Sequence, residues 1–97
     1  MYMSATSQHA SMAVTFRADG AYPPFMYTGS PAMAHAVGNF DGATVRLEVS
    51  PDGAHWSPID EATYTENGAT PMFMPAVTMR WVCYGAGPGT LVNAVVY

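Results

Sequence analysis

Few side chains in this sequence could act as a nucleophile or bind a metal ion, and their surroundings restrict what they could do. The one cysteine, Cys83, lies in an apolar run over residues 79–84 without a basic neighbour that would lower its pKa. We expect it to be a buried and unreactive thiol. No zinc-ligand spacing relates the three histidines, and none has a pair of cysteines nearby, so the sequence predicts no metal site. These histidines are His9, His35 and His55.

Carboxylate side chains are the other candidates for chemistry, because glycoside hydrolysis uses two of them on either side of the scissile bond. The alternating pattern and the turn signals place the available ones on an outward strand face or in loops: Glu48, Asp60, Glu61 and Glu66. We expect them to form a solvated rim. Asp41 and Asp52 each stand beside a glycine, which is typical of turns rather than of calcium ligands. The sequence therefore indicates a protein that is not an enzyme, with no catalytic residue and no cofactor.

Charged residues make up 10% of the chain, where about 25% is usual, and none of them is a lysine. The net charge is -4 and the fixed cations are Arg17, Arg46 and Arg80, which argues against a nucleic-acid partner. Much of the surface must then be covered by small, Met or aromatic side chains, which favours burial against partners or self-assembly. The chain shows no signal-peptide pattern and no apolar stretch long enough for a membrane span, so we expect a product of the cytoplasm with no membrane partner.

The distribution of proline and glycine predicts the fold class. Eight prolines and nine glycines are spread over 97 residues at intervals too short for helices of normal length. The sequence thus predicts an all-β protein, a single small antiparallel β-sandwich over residues 13–97, with a barrel-like or jelly-roll arrangement as variants. Residues 1–12 show no period and precede the first turn signal, so we expect a flexible N-terminal arm that folding does not require.

The clearest element is a β-hairpin over residues 43–59, where apolar and polar side chains alternate on both sides of a Ser-Pro-Asp-Gly turn. Pro51 presets φ for the first corner of the turn, Asp52 suits the second corner, and Gly53 accepts the positive φ that closes it. Asn67-Gly68 is a strong two-residue turn signal, which predicts that the strands on either side of it also pair.

The last third of the chain is nearly all apolar and is expected to supply the buried strands. Its three runs cover residues 72–77, 78–84 and 90–97. Trp56 and Trp81 each follow a strand pattern, so we expect both in the core. Residues 32–37 are ambiguous because they are rich in Ala and Met, which favour a helix. The short interval between two turn signals leaves little room for a helix and favours a strand.

Two clusters of aromatic and Met side chains are bounded by prolines, which keeps them out of the centre of a sheet. They consist of Tyr22, Phe25, Met26 and Tyr27 around Pro23-Pro24, and of Met72, Phe73 and Met74 before Pro75. Tyr, Phe and Met are enriched at protein interfaces, so we predict that both clusters are contact surfaces, with burial under a loop as the alternative. In the arm, Tyr2 and Met3 are expected to be anchors on a neighbouring molecule.

One run of residues in the hairpin region has a pattern found in a known class of proteins. The run extends from Gly38 to Gly53 and reads Gly-Asn-Phe-Asp-Gly-Ala-Thr-Val-Arg-Leu-Glu-Val-Ser-Pro-Asp-Gly, followed by Trp56 and Pro58-Ile59. It resembles small structural proteins of tailed bacteriophages, which often contain a Gly-x-Phe-x-Gly-Ala-Thr-Val strand, a Ser-x-Asp-Gly turn and a tryptophan. The resemblance covers about a quarter of the chain. It implies a virion component, a β-sandwich that decorates or cements the assembled capsid.

The resemblance also implies partners and a location. The partner is the major capsid protein of the shell, and the location is the capsid surface of a virion that is made in the host cytoplasm. The chain itself is expected to form a dimer or trimer. A tail or fibre component belongs to the same class. The alternative is a carbohydrate-binding β-sandwich, which would need a coplanar pair of exposed aromatic rings such as Tyr22 and Tyr27.

Overall fold

A computed structural model describes residues 12–97 of the chain, and every regular element in this range is a β-strand. The nine strands of this range are β1 (Met12–Phe16), β2 (Gly20–Ala21), β3 (Phe25–Tyr27), β4 (Ala32–Asn39), β5 (Thr44–Ser50), β6 (Ser57–Tyr64), β7 (Gly68–Met72), β8 (Val77–Tyr84) and β9 (Leu91–Val96). The arm predicted for residues 1–12 lies outside the described residues, except that Met12 opens β1. None of the described residues belongs to a helix that could cross a membrane.

The strands form two antiparallel sheets that pack face to face. Sheet I has the order β1-β9-β4-β7, and sheet II has the order β2-β8-β5-β6, with β3 also paired to β8. Because β2 and β3 pair with different halves of β8, they form one edge that is interrupted at Pro23-Pro24, where the backbone lacks amide hydrogens. With that edge counted once, the strand order is that of an eight-stranded jelly roll. The predicted all-β sandwich is confirmed.

The core lies between the sheets and follows the alternation of side chains along each strand. β8 is central in sheet II and β9 is central in sheet I, and they bury Trp81 and Val92 completely. The prediction that residues 78–84 and 90–97 form buried strands is therefore confirmed for their inward face. Residues 32–37 lie within β4, so the strand predicted there is also confirmed.

Two apolar residues that were expected in buried elements lie elsewhere. Phe73 belongs to a loop over residues 73–76, which carries the chain from sheet I to sheet II and contains Pro75, a residue that cannot donate to a sheet. Trp56 precedes β6 and is half-buried on the outer side of sheet II, with the guanidinium of Arg80 4.3 Å from its ring centre. This tryptophan therefore packs against the Arg80 cation and not inside the core.

The predicted hairpin is confirmed as β5 and β6, and side-chain hydrogen bonds hold its turn. Gly53 has φ +78°, and its amide donates to the Ser50 hydroxyl at 2.7 Å. The Asp52 carboxylate accepts from the amides of Ala54 and His55, at 2.9 Å each. These amides, together with the His55 ring, hold the pKa of Asp52 well below its ordinary value. Asp52 therefore fixes the turn most strongly when it is ionised.

Asp52→Asn is expected to lower the melting temperature near neutral pH and to lose that effect in acid. Because the pKa of Asp52 is lower in the folded state than in the unfolded state, its ionisation stabilises the fold, and this stabilisation is lost as the pH falls below about 4. The difference in melting temperature between the two proteins should therefore be constant from about pH 7 to about pH 5 and shrink steadily from about pH 4 to about pH 2. Asp60→Asn, which removes an exposed carboxylate from β6, should leave the melting temperature nearly unchanged throughout. A difference between wild type and Asp52→Asn that is constant with pH would contradict this role.

The connection at Asn67-Gly68 differs from its prediction, since the strands on either side of it do not pair. β6 belongs to sheet II and β7 to sheet I, so residues 65–67 carry the chain across the sandwich. The Asn67 side chain accepts a hydrogen bond from the Gly38 amide at 2.9 Å, which fastens this connection to β4. The buried side chains explain why no hairpin forms here. Tyr64 in sheet II and Met72 in sheet I both point into the core between the sheets, and the two strands of one hairpin would lie in the same sheet.

The free edges of both sheets carry groups that disfavour the addition of another strand. Proline lies in three of them, at Pro71 in β7, at Pro58 in β6 and at Pro23-Pro24 between β2 and β3. The fourth edge is β1, where the Tyr22 hydroxyl donates to the Thr15 carbonyl at 2.6 Å and accepts from the Thr15 amide at 3.4 Å. Edges blocked in this way protect a sandwich from edge-to-edge association.

Candidate contact surfaces

Cys83 is buried in β8 with 1% of its surface exposed, as predicted. Burial raises the pKa of its thiol, and the negative charge of Asp19 raises it further. The thiol is therefore in its neutral, weakly nucleophilic form in the folded protein. Within residues 12–97, no three His, Cys, Asp or Glu side chains lie close enough together to hold a metal ion.

Glu48 departs from the solvated rim that was predicted for it. It lies on the outward side of β5, as the alternation indicates, but only 4% of its surface is exposed. One carboxylate oxygen contacts two nitrogens of Arg46, at 2.9 and 2.7 Å, and the other contacts two nitrogens of Arg80, at 2.9 and 2.8 Å. The register of β5 with β8 places Arg80 directly opposite Glu48. Two charge-assisted pairs thus cover the carboxylate on both sides.

Two aromatic rings flank this ion cluster. The Arg80 guanidinium stacks on Trp56, and the Arg46 guanidinium lies 4.9 Å from the centre of the Tyr84 ring. Arg46 also donates to the Tyr84 hydroxyl at 3.3 Å. Both carboxylate oxygens and both guanidinium groups bind partners within the chain. The cluster therefore links β5 to β8 on the outer side of sheet II and stabilises their pairing.

The structure brings the two predicted aromatic clusters together and buries their centre. Tyr27 and Met72 are each 1% exposed, and the Tyr27 hydroxyl donates to the Ser30 carbonyl and, at 3.3 Å, to the Met72 carbonyl. Tyr27 and Met72 therefore belong to the core and cannot contact a partner, which corrects the role predicted for them. Phe25 and Met74 are half-buried against the same core.

The other predicted contact residues divide between the surface and the part of the chain that is not described. Phe73 and Met26 are 78% and 62% exposed. Tyr22 is 38% exposed, but it lies at the edge of β1, apart from Phe73. Because Tyr27 is buried, it does not form with Tyr22 the coplanar exposed pair that a sugar site would need. The residues outside the described range are the two predicted anchors of the arm, Tyr2 and Met3.

Phe73 stands at one end of the sandwich, which we call the Phe73 end. Three connections meet there, over residues 28–31, 51–56 and 73–76. Beside Phe73, a shallow groove of about 430 Å³ opens between β6 and β7. The residues that line it are mostly apolar: Ile59, Glu61, Thr70, Pro71, Met72, Phe73 and Met74. Met26 pairs with Thr78 near the start of β8, so Met26 and Phe73 lie toward the same end.

Sequence reasoning misses a second surface, the outer face of sheet I. Its four strands contain no Asp, Glu, Lys or Arg residue, whereas β5, β6 and β8 of sheet II carry five. The exposed apolar side chains on this face include Val37, Leu91 and Tyr97. The signal is present in the sequence as four uncharged strands, but only the strand order shows that these strands share one sheet.

The fold and these surfaces define a small all-β sandwich with an exposed aromatic side chain at one end and one uncharged sheet face. No protein-family model, curated protein or solved structure matches the chain. The resemblance of the hairpin region to bacteriophage structural proteins therefore stays a prediction.

Proposed function

We propose that this protein is a non-enzymatic structural component of a tailed-bacteriophage virion, which binds the assembled shell as a decoration or cement protein. The observation that carries the proposal is the exposed aromatic side chain of Phe73, beside a mostly apolar groove at one end of a sparsely charged sandwich. The partner is the major capsid protein, and the site of action is the capsid surface.

The residues that carry the phage resemblance support the proposal through the structure they form. Phe40, Ala43, Val45 and Leu47 of that run are buried in the core. The Ser50 hydroxyl closes the turn that follows. The run thus specifies the hairpin of a sandwich.

Phe73 has the properties of an anchor residue. With 78% of its surface exposed, it leaves most of an aromatic ring in water, and burying such a ring contributes about 2 kcal/mol. Its backbone is constrained because Met72 is fixed in the core and Pro75 follows two residues later. A ring held on a constrained loop loses little conformational entropy when it enters a pocket of a partner.

A contact of modest strength suffices for such a role, because a shell repeats its binding site many times. A copy that bridges two shell subunits makes its second contact at a high effective concentration. Apolar burial of several hundred Å² at about 25 cal/mol per Å² then holds neighbouring subunits together without any chemical step.

Phe73→Ser is expected to weaken binding to shell particles about 30-fold, which corresponds to the loss of about 2 kcal/mol of apolar burial. The fold should be unaffected, because the side chain is exposed. The measurement is co-sedimentation of the purified protein with undecorated shells assembled from the major capsid protein that is encoded with it. A concentration series gives Kd from the bound fraction.

Tyr84→Ser is the matched control, because it removes an exposed aromatic ring at the opposite end of β8. It also removes the contact with Arg46, so circular dichroism checks its fold, and the folded variant should bind like wild type. Equal binding by wild type and Phe73→Ser would overturn the assignment of the Phe73 end. Wild-type protein that never co-sediments with shells would overturn the decoration function itself. If that protein bound a glycan array instead, the carbohydrate-binding alternative would replace it.

A further inference from the structure

The charges of this protein are segregated between its two sheets. All ten charged side chains lie among the described residues, five on strands of sheet II, five in loops and none on sheet I. On sheet II both arginines bind Glu48, so two copies that approach through this sheet bring the exposed carboxylates of β6 together. The loops carry four carboxylates and one arginine, so an approach through them also brings like charges together. Copies that approach through sheet I do not meet this repulsion.

The outer face of sheet I is also mostly apolar. Strand register places Val95 beside His35 at its centre, with Val37 one row away along β4. Val37, Leu91 and Tyr97 are 45%, 40% and 50% exposed. These side chains expose apolar area to water, and the strands of this sheet carry no charged side chain beside them.

The polar side chains of this face already have partners within the chain. The Thr15 hydroxyl donates to the Asn93 side chain at 2.9 Å, and His35 Nδ1 lies 3.2 Å from the Tyr97 hydroxyl. Asn39 donates to the Gly89 carbonyl at 3.0 Å. Burying a polar group is costly when the group has no hydrogen bond, so these contacts reduce the penalty for covering the face.

We propose that the outer face of sheet I packs against the same face of a second copy, which forms a two-fold symmetric dimer. The blocked sheet edges leave face-to-face packing as the route by which two sandwiches associate. A two-fold contact is self-complementary, so an uncharged face can pair with itself. The proposal concerns the free protein and does not depend on binding to a shell.

The size of the face agrees with a dimer contact. The four strands hold 24 residues, each covering about 4.8 × 3.3 Å, which gives roughly 380 Å² in projection. The side chains that stand out from the sheet raise the accessible area toward the about 800 Å² per partner that a stable dimer buries. Apolar burial over this area requires no contribution from ion pairs.

The test is sedimentation of the purified full chain alone over a concentration series. Wild type should show about twice the chain mass of 10.3 kDa, and should keep it in about 1 M NaCl because the contact has no charges to screen. Val37→Glu places one carboxylate from each copy within the contact, and should raise the dimer Kd at least about 100-fold. Val37 is exposed in the single chain, so the substitution should not disturb folding, which circular dichroism checks.

Ala21→Glu is the matched control, since it makes the same substitution at an exposed strand position of sheet II and should leave the dimer intact. If Val37→Glu folds poorly, Leu91→Glu tests the same face from β9. Wild type that stays at the monomer mass at every concentration would overturn the proposal. Equal weakening by Ala21→Glu and Val37→Glu would do so too, as would a larger oligomer that Val37→Glu leaves unchanged. A dimer that ignores shell particles would overturn the decoration function alone.

Discussion

Replacing Gly38 by alanine is expected to lower the free energy of unfolding by about 4 kcal/mol, although it adds one methyl group. Gly38 has φ +146°, and a Cβ atom there would lie 2.1 Å from the Leu91 carbonyl oxygen of the paired strand β9. The obstacle is backbone and cannot rotate away, so β4 and β9 would have to separate locally. Because small domains are stable by only about 5–15 kcal/mol, the variant should be close to unfolding.

Gly20→Ala is the control that shows how much of the loss at Gly38 comes from the clash and how much from the positive φ. Gly20 has a similar φ of +156°, but a Cβ atom there would have no neighbour within 4 Å. We expect a loss of about 1 kcal/mol for this variant. Urea unfolding followed by tryptophan fluorescence measures the free energy of unfolding of both variants. Equal losses at the two positions would mean that the contact between Gly38 and Leu91 does not constrain sheet I.

Glu48→Gln is expected to lower the free energy of unfolding by about 3 kcal/mol, because it leaves two guanidinium groups facing each other without their shared anion. Breaking a buried ion pair costs about 3–5 kcal/mol. We expect the lower value because the side chains of Arg46 and Arg80 retain 28% exposure and water partly screens their charges. Urea unfolding at neutral pH gives the free energy of each variant.

Two further variants decide whether the effect comes from the cluster. Glu61→Gln removes an exposed carboxylate from β6 and should change the free energy of unfolding by less than about 0.5 kcal/mol. The combined variant Arg46→Met, Glu48→Met and Arg80→Met should be more stable than Glu48→Gln, because no unpaired charge remains on sheet II. A combined variant less stable than Glu48→Gln would mean that the stacking on Trp56 and Tyr84 outweighs the ion pairs.

Local patterns were sufficient to predict several strands of this fold, although residues 73–76, which were expected in a buried strand, form a loop. The β5–β6 hairpin follows from alternation on both sides of a turn whose residues each suit one corner, and the φ of Gly53 agrees with that turn. The apolar runs around Trp81 and after Thr90 predict strands because their length and branching fit the inside of a sandwich. These features depend on neighbours within a few residues.

What the sequence did not predict depends on residues that are far apart along the chain. Alternation places Glu48 on the outward side of β5, but its burial requires Arg80, which the β5–β8 register brings opposite. Tyr27 reads as a surface aromatic until β3 pairs with β8 and its hydroxyl reaches the Met72 carbonyl. The uncharged face of sheet I likewise appears only when four separate strands are known to be neighbours.

The position of β9 has a consequence for how fast the protein folds. Residues 12–16 pair with residues 92–96, so sheet I joins segments that lie 76 to 84 positions apart along the chain. In sheet II, β2 pairs with β8 across 61 to 63 positions. The chain must close these long loops before either sheet is complete, so we expect it to fold over the milliseconds to seconds typical of proteins whose contacts are mostly non-local.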